Sequence, residues 1–243
     1  MSLLGAAAVA MWWDIAPALR PEFEDWHSHE HFPERMSIPG FQRGSRWASD
    51  DGGEGFFVLY ELEAYETLTS PPYLARLNDP TPWSTKMMPH HRNMVRSRCR
   101  ILDSFGGGIA RCILTVRVSP ADGQAERLHH HLRKLLAKLP TLPGLTGGHL
   151  LRTETPNAVV TTEEKIRGGD AAADWIVLVP GYASEALKQI ETVELGATLL
   201  EQAGALPSSA ASLYHLSYAL TATDLRTSAA RASDPKGSIR FMA

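Results

Sequence analysis

The tetrapeptide Ile38-Pro39-Gly40-Phe41 returns 104 residues later as Leu142-Pro143-Gly144-Leu145. No other feature of the chain restricts its fold as much. Solenoid and propeller repeats have periods of roughly 20–50 residues, so this spacing marks two copies of a whole domain rather than a stacked array. The same order of patterns surrounds both copies. Before the first, residues 5–13 read as a strand and 20–31 as a helix. That helix should end ahead of Pro33, because a proline disfavours helical geometry in its predecessor. After it come strands at 41–49 and 55–62, joined by the hairpin signal Asp50-Asp51-Gly52-Gly53. A proline-broken helical stretch at 65–88 and a strand at 93–102 complete the unit. The second copy gives strand 109–118, helix 124–139, strands 148–153 and 175–180, helix 184–202 and strand 212–220, with a long, polar, mobile loop across 154–174.

The expected class is therefore α+β: two tandem ferredoxin-like βαββαβ domains, 1–104 with the site and 105–220 mainly structural, then an Ala/Ser/Arg-rich tail at 221–243. Helices cover one face of each antiparallel sheet, and the two bare faces are expected to pack together as an intrachain α+β barrel. Arg96, Arg98 and Arg100 alternate with Val95, Cys99 and Ile101, and Arg111 and Arg117 with Cys112, Leu114 and Val116. A mixed apolar and cationic face should then line the barrel, its arginines forming an anion site, ion pairs with Glu61 and Glu63, or solvated edge charges. Residues 103–108, with three glycines, read as the linker that reorients the chain. Edge strands and the tail leave a homodimer of two barrels possible.

A chain of 243 residues buries one large core or two small ones, and a net charge of −3 gives no electrostatic case for nucleic acid or an anionic membrane. No apolar run approaches the ~20 residues that span a bilayer. The apolar segment at 3–13 lacks a preceding Lys or Arg, and Trp12-Trp13-Asp14 is a poor cleavage context, so it reads as a strand and not a signal peptide. The expected location is cytoplasmic, with Cys99 and Cys112 as buried free thiols. Gly106-Gly107-Gly108 leads into a strand and cradles no phosphate, and G-x-S-x-G and C-x-x-C motifs are missing. Nucleotide chemistry, serine hydrolysis and thiol redox are not expected.

The segment from Phe23 to Pro33 carries the chemistry. At ~100° per residue Phe23, Trp26, His27, Glu30 and His31 fall within an arc of roughly 140°. Phe23 and Trp26 must cover a hydrophobic layer, so two imidazoles and a carboxylate face inward, where an unpartnered polar group costs roughly 1–3 kcal/mol. Each other, a metal or a ligand pocket must compensate them. The second copy is the internal control: its helix face runs Leu128, Leu132, Leu135, Leu136, Leu139, and at the offset of 104 His31 corresponds to Leu135 and His27 to His131. One working site in a duplicated fold would look like this. His31 is the expected general base or acid, with Glu30 or His27 orienting it. Trp26 and Trp83 would line the pocket. Tyr73 and Trp83 flank Pro80-Thr81-Pro82, a lid or a rigid loop, and His90 leads from there into the arginine-bearing strand. His27 and His31 stand at i,i+4 as two metal ligands would, but no third ligand is evident. His29 and His129-His130-His131 read as solvated, and His215 as buried and hydrogen-bonded.

Trp26…Glu30-His31-Phe32-Pro33 followed by Ile38-Pro39-Gly40-Phe41 resembles the dimeric α+β barrel superfamily, and within it the EthD-like proteins. There a W-x-x-x-E-H-hydrophobic-P helix end precedes an I-P-G-F strand start. The match is motif-specific over 5–102 and architectural over 107–220. The resemblance implies cofactor-free oxygenases, cyclases, isomerases and decarboxylases acting on small, mostly hydrophobic molecules. Other barrels of this type bind haem, and many have no known activity. The positions carried over are Trp26, Glu30, His31 and Pro33; the family commonly has Tyr where this chain has His27. The expected function is cofactor-independent acid/base chemistry (isomerisation, cyclisation, decarboxylation or oxygenation) on a small hydrophobic or aromatic substrate. A non-catalytic binding or structural barrel is the alternative, and a metal- or haem-dependent variant the third reading.

Overall fold

Alternation along the first strand sets the layers of the molecule. In β1 (Ala7–Asp14), Ala7, Val9, Met11 and Trp13 enter one core while Ala8, Ala10 and Trp12 enter another, as a period of two requires of a strand covered on both faces. The computed structural model describes residues 3–154, 160–168 and 170–226. Its other strands are β2 (Phe41–Ser49), β3 (Gly55–Leu62), β4 (Arg92–Gly106), β5 (Cys112–Val118), β6 (Gly147–Thr153), β7 (Trp175–Gly181) and β8 (Ala210–Thr221). They close into one barrel in the order β1-β3-β2-β8-β5-β7-β6-β4, every neighbouring pair antiparallel. The same four-strand order, fourth-first-third-second, appears in β4-β1-β3-β2 and in β8-β5-β7-β6, so the duplication is ferredoxin-like in both halves.

The halves are sewn together rather than merely stacked. The fourth strand of each reaches the second strand of the other: β4, 15 residues long, pairs Ala7 with Arg100 in β1 and then runs from Cys99↔Thr153 to Gly106↔Gly147 against β6. β8 joins β2 and β5 in the same way. The expected linker at 103–108 is thus mostly strand. Closure removes the edges that two open sheets would expose. Two repeated turns anchor the duplication. Gly40 and Gly144 have φ of 94° and 86°, and Phe41 and Leu145 donate their backbone N–H to the carbonyls of Ile38 and Leu142 at 3.1 and 3.3 Å. A Cβ would lie 2.5 Å from Thr67 Oγ1 at the first glycine and 2.6 Å from Ala186 Cβ at the second. Both φ and space demand glycine there.

The barrel interior is drier than the sequence suggested. Val95, Cys99 and Ile101 point into it with Trp12, Trp47, Phe57 and Tyr214, and both cysteines are free and buried. Arg96 faces the helices instead, and Arg100, on the same outer face of β4, pairs with Glu154 and Glu66 at 2.8 and 3.3 Å. Where charge does enter the interior side it is partnered, because an unpaired ion there is costly. Arg43 meets the buried Glu61 at 2.6 Å, and Arg117 lies over the Trp12 ring.

Helices cover the outer faces. α1 (Arg20–Trp26) passes through a π-turn, His27–His31, into α2 (Phe32–Met36). The helix therefore does not stop before Pro33. A proline clashes with the carbonyl four residues back, and the wider i→i+5 turn just ahead of it relieves that clash. α3 (Pro71–Asn78) and α4 (Pro82–Met87) are capped by the Ser70 and Thr81 hydroxyls. α5 (Ala125–Leu136), α7 (Ser184–Val193) and α8 (Ala197–Gln202) cover the second half, the helix expected over 184–202 being broken near Gly196. The stretch read as a mobile loop holds α6 (Thr162–Arg167). Thr161 accepts from the Glu164 N–H at its start, and Gly168 at φ 85° ends it.

His130 and His131 are exposed as expected, but His129 pairs with the buried Asp103 at 2.6 Å. His215 is half-buried, ion-paired with Asp50, with Cys112 Sγ 3.3 Å from Nδ1. Among the described residues no helix is long and apolar enough to cross a membrane. Of the tail, residues 222–226 form a helical turn and the remainder lies outside the described residues.

Candidate functional site

The π-turn is what assembles the site. Phe32 N–H bonds to the His27 carbonyl, five residues back, so the helix carries one extra residue in this turn. The two halves show the same arithmetic. Phe23 and His27 match the buried Leu128 and Leu132 at an offset of 105, whereas Phe32 matches Leu136 at 104. The extra residue lies between, and it lets His31 join the inner face. The imidazoles of His27 and His31 stack with centroids 5.3 Å apart and planes at 21°. Trp26 lies 4.7 Å from His31, Phe23 stacks on His27 at 5.1 Å, and Phe32 meets it edge-on at 4.5 Å.

Between this turn and the outer face of the first sheet lies a cavity of about 40 Å³. One wall is aromatic and sulfur-rich, with Trp13, Trp26, Met11 and Met88. The other is charged, with Arg35, Arg96, Glu163 and Arg167. Arg35 and Glu163 form a buried ion pair, each 3 % exposed. Glu34 joins Arg35 at 3.3 Å, Arg167 reaches Glu163 at 3.5 Å, and Asp170 holds Arg167 at 2.9 Å. Arg96 donates to the Tyr73 hydroxyl at 2.7 Å. Four buried side-chain polar atoms find no hydrogen-bond partner among the described residues: Trp13 Nε1, His27 Nδ1, His31 Nδ1 and Tyr60 Oη. All four residues line this one cavity.

Burial, reinforced by the nearby guanidinium of Arg46 for His27 and of Arg35 for His31, holds both imidazoles well below the usual histidine range. Both are neutral at pH 7. Burial also pushes His91 down to about 4 and the Tyr60 hydroxyl upward, so Tyr60 stays a donor. Burial alone would lower Arg35, but Glu163 and Glu34 raise it instead.

The structure brings together His27, His31, Trp26 and Tyr73. Glu30 faces away: it accepts from Trp26 Nε1 (3.1 Å), Thr81 Oγ1 (2.5 Å) and Ser84 Oγ (3.3 Å), tying α4 to the helix. Trp83 packs against the rim of the first core, outside the cavity. His90 is likewise outside, and its neighbour His91 takes the inward place because the 3₁₀ turn Met88–His90 rotates the chain just before β4. Trp13 and Tyr60 carried no chemical signal, being strand aromatics like any others. Glu163 and Arg167 did carry one: Thr161-x-x-Glu164 followed by Gly168 is a helix start and stop.

A metal does not fit these residues. Stacked, nearly parallel imidazoles do not converge on one point, and no group of three His, Cys, Asp or Glu among the described residues is placed to hold an ion. Nor does a cavity of about 40 Å³ take a haem macrocycle.

No family profile and no curated protein matches the chain. Solved structures do. An anthrone oxidase-like protein superposes with a TM-score of 0.61 at 12% identity, over 89% of this chain and 93% of the other. A candidate monooxygenase from Lactobacillus acidophilus gives 0.57 at 12% identity, over 90% and 97%. Another from Fusobacterium nucleatum gives 0.57 at 6%, over 89% and 95%. The chain thus has the ferredoxin-like α+β barrel fold of these proteins, which at such identities is a likeness of fold.

Proposed function

We propose that the chain is a small-molecule enzyme in which neutral His31 removes a proton beside a carbonyl of a small hydrophobic or aromatic substrate. The observation that carries this reading is the convergence of four buried, unpartnered polar atoms on one cavity. Such groups are rare in folded proteins and each costs roughly 1–3 kcal/mol unless a ligand satisfies it. A neutral imidazole accepts the proton, while Trp13 N–H and Tyr60 O–H supply donors for the oxyanion that develops. The enolate so formed can be reprotonated elsewhere, close a ring by attack on a second carbonyl, or meet dioxygen; loss of carbon dioxide from a β-keto acid would generate the same enolate without proton removal. The reaction with dioxygen is in line with the monooxygenase and oxidase-like names of the fold neighbours. Residues 1–104 supply most of the site and 105–220 the scaffold, with α6 reaching across. The Trp26…Pro33 motif supports kinship with EthD-like proteins, in a cytoplasmic chain able to form a homodimer.

The cavity as it stands admits a few water-sized molecules, well below the ~300 Å³ of a ligand pocket. A ring enters only if the walls yield, and three of them are methionines, the most adaptable of core residues. The same small volume favours the second reading, a non-catalytic duplicated barrel. Proton exchange separates the two. In D2O the protein should exchange the acidic C–H of at least one member of a panel of small aryl ketones about a hundredfold faster than His31→Gln, followed by proton NMR. Equal rates for every compound favour the structural barrel.

A further inference from the structure

Resting on the active-site reading above, we propose that this cavity is built for a small carboxylate, and that Glu163 is an internal surrogate whose carboxylate the ligand replaces on Arg35 and Arg167. Among the described residues, Glu163 supplies the one carboxylate on the cavity lining. Three guanidiniums line the cavity, Arg35, Arg96 and Arg167, against the single carboxylate of Glu163. Glu34 and Asp170, neither of them lining the cavity, engage Arg35 and Arg167 from behind, and Glu34 is shared with Arg76 at 3.4 Å, so the group holds four cations against three carboxylates. Arg96 makes no ion pair among the described residues; its guanidinium is held by the Tyr73 hydroxyl.

A neutral ligand that pushed Glu163 aside would leave surplus positive charge among residues that are almost wholly buried. Breaking a buried pair in that way is strongly unfavourable. A carboxylate ligand leaves the balance unchanged and offers guanidinium the same planar, charge-assisted bonds. Exchange also solves the problem of room, since the Glu163 side chain vacates the space beside a cavity of about 40 Å³. Glu163 is well suited to yielding. It comes from the six-residue helix α6, which reaches the first half through few polar contacts, among them Thr162 N–H to Asn78 Oδ1 at 3.2 Å. Trp13, Trp26 and Met88 also line the cavity and offer the surface against which the ligand's apolar part would lie, with His31 Nδ1, which has no hydrogen-bond partner and stands 4.0 Å from Glu34, beside it.

Benzoate and its neutral isostere benzamide test this with the full chain, by calorimetry and by tryptophan fluorescence. The wild type should bind benzoate at least tenfold more tightly than benzamide. Glu163→Gln removes the competing charge and should tighten benzoate a further tenfold or more while leaving benzamide unchanged. If that variant does not fold, Glu163→Asp, which draws the carboxylate back by one methylene, should shift benzoate in the same direction. Benzoate affinity unaltered by either change overturns the proposal. So does equal binding of the two probes, which leaves the cavity standing as a ligand site for neutral molecules. Failure of both probes to bind any variant overturns this inference and the ligand-site reading together.

Discussion

The helix-covered faces of the two halves occupy equivalent places on equivalent sheets, and they are filled in opposite ways. On the second, Leu128, Leu132 and Leu136 of α5 are fully buried and pack on Leu114, Val116 and Leu150. On the first, the same positions hold Phe23, His27 and Phe32, an inserted turn adds His31, and a buried ion-pair chain runs through Arg35 and Glu163. Plain aliphatic packing is therefore enough for this fold. The polar groups of the first face are an addition with an energetic cost, borne by one copy only, and that asymmetry supports the proposed site.

Acid should separate the faces most. The folded protein holds His27 and His31 neutral well below the ordinary histidine value, while the unfolded chain protonates them near 6.5. The unfolded state then binds more protons as pH falls below about 6.5, so stability is lost, at up to about 3 kcal/mol per pH unit for the pair. His91 adds to the loss until its own folded value of about 4. Above 6.5 neither state is protonated and the curve should be flat. His27→Leu with His31→Leu, which gives the first face the chemistry of the second, should remove most of that slope in urea titrations between pH 7 and 5. An unchanged slope would place the acid sensitivity elsewhere.

Next in size is Arg35→Ala, which leaves Glu163 buried with only Arg167 beside it. Loss of one member of such a pair costs about 3–5 kcal/mol in chemical denaturation, and replacing both by Met should recover most of it. On the other face Leu132→Ala should cost about 2–5 kcal/mol by cavity formation alone, with no effect on benzoate binding. If Leu132→Ala weakened the probe, the two faces would not be independent.

The architecture was readable in the sequence because its signals are local. Pro-Gly at two places 104 apart, the Asp50-Asp51-Gly52-Gly53 hairpin signal between 41–49 and 55–62 and the leucine stripe of α5 each specify an element without help from the rest of the chain. The site was half readable. His27, His31 and Trp26 were visible as polar and aromatic groups on a buried stripe. A helical wheel assumes one period throughout, so within the π-turn it put Glu30 inward, and the proline rule ended the helix ahead of Pro33 because it takes no account of the wider turn that accommodates the ring. Glu163, the buried partner of Arg35, comes from α6, 128 residues away, and no local pattern announces a pair of that separation. His90 and His91 differ only in which side of a 3₁₀ turn they leave, which adjacent identical residues cannot reveal.

The smallest effect tests Glu30, which with Trp83 and His90 is one of three expected site residues lying outside the cavity. Glu30 has no counterpart on the second face, where the residue at the same offset is the exposed Lys134. Its carboxylate gathers Trp26, Thr81 and Ser84 and so holds α4 against the π-turn. Glu30→Gln keeps an oxygen for one or two of these donors, loses the charge-assisted strength and presents an amide where only acceptors are useful. The expected loss is about 1–2 kcal/mol of stability with a shift in Trp26 fluorescence. Benzoate affinity and the deuterium exchange of the best aryl ketone should stay within about twofold of the wild type. A hundredfold fall in exchange with stability and benzoate affinity intact would return Glu30 to the chemistry, as the carboxylate that orients the base through the adjoining turn.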